Sequence, residues 1–310
     1  MIAWLLDPWH HTFMQHAFLA IMLVGVICGA TGVFVTLRGL AFLGDALSHA
    51  IFPGVVIAFI LGGNFLIGAV IAAILVSLGI GAIGQGGRIS NDTAVGVLFV
   101  GAFSLGIALM STQSGYTRDL NTFLFGSILG VTRDDLALTF GVGLVVLALL
   151  LLFRRELTMI SFDRTFSKST GLNLWLYDQL FLVLLALAIV ISLQTVGNIL
   201  VLAMLVTPAA TARLLTNRLR AMVVISCVIG SLSGVAGLYV SYYEGVPSGA
   251  AVVLVSTAIF GLVFLFAPRT GTITSRVRRR LHHPHPERDD FSGAAQPANE
   301  ARSASSTMAR

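Results

Sequence analysis

The sequence predicts an all-α fold: a polytopic transmembrane helix bundle of about nine helices (eight to nine). Composition is the first reason, because 56% of the 310 residues are hydrophobic and only 11% are charged, whereas soluble domains carry about 25% charged residues. The second reason is that the hydrophobic residues fall into separate runs, most of them close to the roughly 20 residues of a membrane helix. This composition excludes a soluble enzyme, a disordered regulator and a nucleic-acid binder, although the formal net charge is +5.

The candidate membrane helices follow one another with short polar or glycine-containing loops between them. They are residues 13–36, 46–61, 65–83, 93–111, 136–153, 179–193, 199–214, 222–240 and 250–267. The run 199–214 is the weakest, because Thr207, Pro208 and Thr211 interrupt it. A short or re-entrant segment at that place would leave eight full spans.

Arginine and lysine residues predict which loops face the cytoplasm. With nine passes, alternate loops hold Arg38, Arg88, Arg154, Arg155, Arg164, Lys168, Arg213, Arg218, Arg220 and the segment from Arg269 onward. Only Arg118 and Arg133, 2 of the 19 basic residues, fall on the opposite side. We therefore expect an extracytoplasmic N-terminus over residues 1–12, a membrane domain over 13–268 and a cytoplasmic C-terminus in the plasma membrane.

Residues 269–310 have the composition of a disordered, basic cytoplasmic tail, rich in Arg, Ser, Pro, Ala and His and without an apolar period. The arginines at 276 and 278–280 would contact anionic lipid head groups or form a solvated flank of the last helix. His282, His283 and His285 could chelate a metal, but three histidines among prolines in such a tail are weak evidence of a metal site.

Asp45 and His49 are the candidate ligands of a metal ion. An aspartate at the bilayer centre costs about 2.5–3.5 kcal/mol, so an acidic residue inside a hydrophobic stretch usually marks a site. Residues four apart share one face of a helix, and a carboxylate beside an imidazole is half a site for a divalent transition metal. A two-fold axis between subunits would double the ligands. The alternatives are an Asp–His hydrogen bond and capping of a helix N-terminus by Asp45.

Pro53 and Gly54 follow this pair directly. Proline removes a backbone hydrogen bond from a helix, so the two residues predict a kink or a local unwinding. A kink at this place would serve gating or simple packing, and the sequence leaves both open.

The segment 154–178 is predicted to be a long cytoplasmic loop that contains one short amphipathic helix. Phe162 and Phe166 would share a face of that helix, and Gly171 would end it in a C-cap role. Exposed aromatic side chains beside charges suit docking to a partner protein. Packing of the helix on its own bundle is the alternative.

Familiar catalytic motifs are absent from the sequence. A phosphate-binding loop places glycines before a lysine, but the chain has a single lysine, Lys168, with no glycine in the seven preceding residues. His-Glu-x-x-His and Gly-x-Ser-x-Gly are also missing. We therefore predict that the chain is not an enzyme and that any ATP hydrolysis belongs to a separate partner.

Four stretches of the sequence, taken together, are specific for one protein family. They read GDALSHAIFPG over 44–54, NDTAVG over 91–96, LFGSIL over 124–129 and VGNILVLAMLVTPAATARL over 196–214. With these motifs the chain resembles, over 13–267, the membrane permease subunit of bacterial ABC importers for zinc, manganese or ferrous iron. The resemblance implies a type II ABC importer fold and a transported Zn²⁺, Mn²⁺ or Fe²⁺ with no permanently bound cofactor.

The resemblance also implies partners and roles. The partners are a second permease copy in a homodimer or heterodimer, a dimer of cytoplasmic ABC ATPases, an extracytoplasmic metal-binding protein and membrane lipid, with no nucleic acid. Asp45 and His49 would line the metal path at the dimer interface. The stretch from Asp163 through Phe166 to Gly171 and Leu172 would be the helix that couples the permease to the ATPase.

The identity of the transported metal is undecided by the sequence. Imidazole favours zinc and carboxylate favours manganese, and the Asp45–His49 pair offers one of each. A proton-coupled secondary metal transporter with Asp45 as the proton carrier is the alternative function. A membrane subunit without a conducting path is a further alternative.

Overall fold

The computed structural model describes residues 7–84, 90–112 and 128–267, and every regular element within these ranges is helical. Short 3₁₀ turns lie at Asp7–His10 and Ile128–Gly130. The α-helices are α1 (Thr12–Arg38), α2 (Ala41–Ala50), α3 (Phe52–Ile60), α4 (Phe65–Gly84), α5 (Asn91–Ser111), α6 (Arg133–Leu152), α7 (Arg154–Phe162), α8 (Arg164–Ser169), α9 (Leu174–Val196), α10 (Asn198–Leu215), α11 (Leu219–Glu244) and α12 (Ser248–Phe266).

Within the described ranges, nine helical spans are long and apolar enough to cross a membrane. Each of the nine predicted runs overlaps one of them. The second span, Ala41–Ile60, is made of α2 and α3 together. The weakest predicted run forms one helix, α10, with 18 residues and Pro208 inside it, which favours nine spans over eight.

Helices α1 and α9 form the centre of the bundle, and most of their side chains are buried. Small residues bring α1 against α11: a Cβ added at Gly25 would lie 2.8 Å from the backbone nitrogen of Ser231. The Ser226 hydroxyl donates a hydrogen bond of 2.8 Å to the Gly29 carbonyl. The glycines of these two helices therefore allow the close approach that stabilises helix pairs in lipid.

Helices α4, α5, α6 and α12 lie at the periphery and leave most of their apolar side chains exposed. Backbone hydrogen bonds are satisfied within each helix, so an apolar outer surface is compatible with a hydrocarbon environment. The exposed side chains include Leu75, Val97, Leu144 and Leu254.

The two ends of the bundle differ in chemistry. At one end Arg38 bonds to Asp178 and Arg213 donates to the Thr36 carbonyl, so the basic loops gather there. At the other end Trp9 donates to the Tyr239 hydroxyl at 2.8 Å and Tyr242 donates to Asp7 at 3.2 Å, as is typical of an aromatic belt. The segregation of basic loops agrees with the topology prediction, whereas the membrane side that each end faces stays a prediction.

Several sequence predictions lie outside the described residues. They are Arg88, Arg118, residues 124–127 of the third family stretch, residues 1–6 of the predicted extracytoplasmic N-terminus and the tail 269–310.

Candidate metal site

The second membrane span is broken directly after the predicted metal pair. Helix α2 ends at Ala50 and α3 begins at Phe52, with Ile51 between them. Pro53 lies in the first turn of α3 and has no N–H with which to bond to the carbonyl of His49, four residues earlier. The proline accounts for the break, so the sequence prediction of a kink at this place agrees with the structure.

Gly54 lies where α3 crosses α4 with the two backbones in contact. A Cβ at Gly54 would overlap the carbonyl oxygen of Gly68 and lie 2.9 Å from its carbonyl carbon. Only glycine fits such an approach without moving the helices. Gly54 therefore has a packing role, and a gating role for Pro53 and Gly54 stays a prediction.

Asp45 and His49 lie on one face of α2, and their side chains are 37% and 25% exposed. The His49 Nε2 and Asp45 Oδ1 atoms are 3.7 Å apart, beyond ordinary hydrogen-bond distance. Helix α2 begins at Ala41 with Leu40 in the N-cap position. Asp45 therefore lies inside the helix, and the interpretation of Asp45 as an N-cap is wrong.

Aromatic side chains of α5 form a wall beside the His49 ring. The ring centroids of Phe99 and Phe103 lie 5.9 Å and 5.4 Å from that of His49. Phe42 and Phe52, on either side along the same span, contact these rings in turn at 6.3 Å and 5.9 Å. An apolar wall of this kind lowers the local dielectric constant and strengthens electrostatic interactions with the pair.

Asn198, the first residue of α10, approaches the pair from a different helix. Its Nδ2 atom is 3.2 Å from His49 Nε2. The preceding residue, Gly197, has a φ of +86°, a conformation that favours glycine. This turn between α9 and α10 brings Asn198 to His49.

The arrangement offers few donors from one chain. In residues 7–84, 90–112 and 128–267, no three His, Cys, Asp or Glu side chains gather into a metal-binding group. A closed structural zinc site has four ligands, so a pair with mixed oxygen and nitrogen donors is suited to brief binding of a divalent ion.

The segment 154–178 contains two short helices where the sequence predicts one, and its last residues, from Leu174 onward, belong to α9. Asp163 has extended backbone angles (φ −145°, ψ 101°) and separates α7 from α8. Its carboxylate caps α8 by accepting a hydrogen bond of 2.8 Å from the Phe166 amide. The prediction that Phe162 and Phe166 share one helix is therefore wrong, because an N-cap residue needs a non-helical conformation.

Both phenylalanines of this segment are exposed, Phe162 by 67% and Phe166 by 56%. Gly171 follows the C-cap Thr170 and has a φ of +81°, the left-handed conformation that commonly ends helices. Leu172 is half-buried. The predicted coupling residues thus follow α7 in the chain and are exposed or half-buried, and their coupling role stays a prediction.

Sequence reasoning missed Asn198, Phe99 and Phe103 as neighbours of the metal pair. A usable signal existed for the phenylalanines, since they are four residues apart on one apolar helix. For Asn198 the signal is weaker: a polar amide after a glycine inside a hydrophobic stretch. Only the folded chain shows that its neighbour is His49.

The nine candidate spans in the described ranges make this chain a polytopic membrane protein, and its second span carries a carboxylate–imidazole pair. The model of the ABC 3 transport family matches residues 10–267, and the chain belongs to this family. The match covers all nine described spans.

Named relatives support the assignment. The chain is 46% identical over 264 residues to the manganese transport system membrane protein MntC of Halalkalibacterium halodurans, covering 85% of this chain and 90% of that protein. It is 41% identical over 257 residues to the manganese import system permease protein ScaB of Streptococcus parasanguinis, covering 83% and 91%. The solved structure of PsaBC from Streptococcus pneumoniae in complex with Fab is similar with a TM-score of 0.78 and 38% identity, over 90% of this chain and 100% of that chain. The chain is therefore a permease of the metal ABC importer type.

Proposed function

We propose that this chain is the membrane permease of an ABC importer that carries Mn²⁺ across the bacterial plasma membrane into the cytoplasm. The observation that carries the proposal is the Asp45–His49 pair, partly exposed at a break in a membrane span. The names of the relatives support manganese over zinc or ferrous iron as the substrate.

In this proposal the delivered ion is held briefly by the Asp45 carboxylate and the His49 imidazole. Both side chains are partly exposed in a single chain, so a second permease copy, identical or different, would supply further ligands across the interface. Conduction requires release as well as entry, and a small mixed set of donors meets that requirement. The break at Pro53 would let the two halves of the span move separately, and the close crossing at Gly54 would keep α3 against α4.

Energy would come from partners. A dimer of cytoplasmic ATPases would seat on the exposed segment around Asp163, Phe166, Gly171 and Leu172, and an extracytoplasmic metal-binding protein would deliver the ion at the opposite end. The end with the basic loops would face the cytoplasm, in keeping with the distribution of arginines. The N-terminus would then lie outside and the tail 269–310 inside.

Uptake of radioactive manganese tests this function. Cells producing the chain with its neighbouring ATPase and binding protein are given ⁵⁴Mn, and zinc and iron isotopes in parallel. We expect manganese to accumulate and His49→Ala to abolish accumulation. His16→Ala, a histidine change in α1 away from the pair, is the matched control and should transport normally. Wild-type uptake by His49→Ala at equal membrane levels would refute the site.

The same assay separates the proton-coupled alternative. An ABC importer stops when the partner ATPase carries an inactivating change, whereas a proton-coupled carrier stops when the proton gradient is collapsed while ATP is maintained. Uptake that ignores the loss of ATPase activity and follows the proton gradient would overturn the proposal. If neither Asp45→Asn nor His49→Ala changed metal uptake, the chain would be a subunit without a conducting path.

A further inference from the structure

Asn198 is almost fully buried, with 6% of its surface exposed, although its side chain is strongly polar. The Oδ1 atom of this amide accepts no hydrogen bond from any residue in the described part of the chain. Buried side-chain polar atoms in proteins normally have a partner. An unpartnered amide oxygen next to His49 therefore calls for an explanation.

The position of the amide relative to the metal pair suggests one. The near end of the amide lies 3.2 Å from His49 Nε2, and the amide oxygen and nitrogen have nearly the same shape, so a half-turn of the group exchanges them. With Nδ2 nearest, the imidazole nitrogen accepts a hydrogen bond and is unavailable to an ion. With Oδ1 nearest, two lone-pair donors, the amide oxygen and the imidazole nitrogen, lie about 3.2 Å apart.

The distances fit a shared ion. Two ligand atoms that are each about 2.1 Å from a metal lie roughly 3.0 Å apart at a right angle and roughly 3.4 Å apart at a tetrahedral angle. The separations are 3.2 Å between Asn198 and His49 and 3.7 Å between His49 and Asp45. The first separation lies within the range for two ligands of one ion, and the second is longer than its tetrahedral limit, so binding of a shared ion would draw Asp45 and His49 closer together.

We infer that Asn198 is a third ligand of the transported ion from this chain: its Oδ1 binds the cation together with Asp45 and His49 and favours Mn²⁺ over Zn²⁺. This inference rests on the proposed function. An added carbonyl oxygen changes the donor set from one oxygen and one nitrogen to two oxygens and one nitrogen. Carboxylate and carbonyl oxygens suit manganese, whereas imidazole also suits zinc.

Mn²⁺ binding to the purified permease–ATPase complex tests this role without transport. Free Mn²⁺ is measured by its electron paramagnetic resonance signal during a titration with MnCl₂, and Zn²⁺ is then added as a competitor. The variants are Asn198→Ala, Asn198→Asp, which keeps an oxygen and loses the N–H donor, and His49→Ala. Thr195→Val is the matched control, because it removes a buried hydrogen bond to Thr139 at the end of α9 and leaves the pair untouched.

We expect Asn198→Ala to weaken Mn²⁺ binding by about 10–100-fold, as loss of a partner at a metal site typically does, and to lower the Zn²⁺ concentration that displaces Mn²⁺. Asn198→Asp and Thr195→Val should both keep Mn²⁺ binding near the wild-type level. The melting temperature of each complex shows whether the variant is folded.

The outcomes separate the two proposals. If Asn198→Ala binds Mn²⁺ as the wild type does while His49→Ala loses binding, Asn198 is not a ligand and the metal pair stands. If Asn198→Asp loses binding together with Asn198→Ala, the amide acts as a hydrogen-bond donor to His49, and the ligand role is refuted. If His49→Ala binds normally, the Asp45–His49 site itself is wrong.

Discussion

Asp178 forms an ion pair with Arg38, in which the Arg38 Nη1 atom donates to Asp178 Oδ1 at 2.8 Å and the arginine side chain is only 8% exposed. The second carboxylate oxygen accepts from Arg164 Nη2 at 2.6 Å. Arg38 is the last residue of α1, and α2, which carries Asp45, begins three residues later. Arg164 is the first residue of α8. One carboxylate therefore joins the proposed coupling segment to the helix junction that precedes the metal pair.

Replacing Asp178 with Asn is expected to destabilise this end of the bundle. The change leaves the buried Arg38 guanidinium without its counter-charge, and breaking a buried pair typically costs about 3–5 kcal/mol. We expect a lower melting temperature of the purified permease and a loss of manganese uptake larger than the loss of protein from the membrane. Asp134→Asn, an exposed aspartate in the first turn of α6, is the control. An unchanged melting temperature and unchanged manganese uptake in Asp178→Asn would show that the Asp178–Arg38 pair is needed for neither stability nor transport.

Asp163 is expected to act through its capping of α8. Asp163→Ala removes the hydrogen bond to the Phe166 amide, a loss worth about 1 kcal/mol at a helix N-terminus. Because α8 is short, we expect the helix to fray, less ATPase to purify with the permease and ATP-dependent uptake to fall. Asp163→Asn keeps a capping oxygen and should retain both. Equal failure of the two variants would instead indicate that the charge of Asp163 contacts the ATPase directly.

Gly54→Ala is expected to separate α3 from α4. The added methyl group would overlap the backbone of Gly68, and overpacking of this kind typically costs about 1–3 kcal/mol. A lowered melting temperature of the detergent-purified protein is the expected result. Gly261→Ala in α12, where a Cβ meets no atom of the described residues within 4 Å, should melt at or slightly above the wild-type temperature. Equal melting temperatures of Gly54→Ala and Gly261→Ala would contradict the close crossing of α3 and α4.

Pro53→Ala tests whether the break in the second span is used in transport. Alanine restores an N–H opposite the His49 carbonyl, so α2 and α3 can join into one helix. We expect slower manganese uptake at an unchanged membrane level, with Mn²⁺ binding to the purified complex reduced less than uptake. Pro247→Ala, at the start of α12, serves as the control. Uptake equal to the wild type would assign Pro53 a packing role only.

The membrane spans could be predicted from sequence because hydrophobic length is a local property. Each run carries its own signal, and even the interrupted run with Pro208 forms a helix in the described structure. Asp45 and His49 could be paired for the same reason, since four residues of helix place them on one face. The prediction of a break at Pro53 also rested on a local rule, the missing N–H.

Contacts between distant parts of the chain were beyond such reasoning. Asn198 lies 149 residues from His49 in sequence, and the pairing depends on how α10 packs beside α2. The Asp178–Arg38 pair spans 140 residues. In the coupling segment the prediction is wrong for a local reason: a single helix through Phe162 and Phe166 would enclose Asp163, whose short side chain favours the capping position.

The short length of α2 has an electrostatic consequence. Its last turn, Leu47–Ala50, ends beside the Asp45–His49 pair, and the carbonyl dipoles of a helix sum to roughly half a negative charge at its C-terminal end. Broken helices in other transporters place such ends at cation sites. The N-terminal end of α3 begins one residue later and carries the opposite partial charge, so the net field at the pair is reduced. At the proposed metal site this field would attract cations of equal valence equally. Discrimination between manganese and its competitors would therefore depend on the side-chain donors and their geometry.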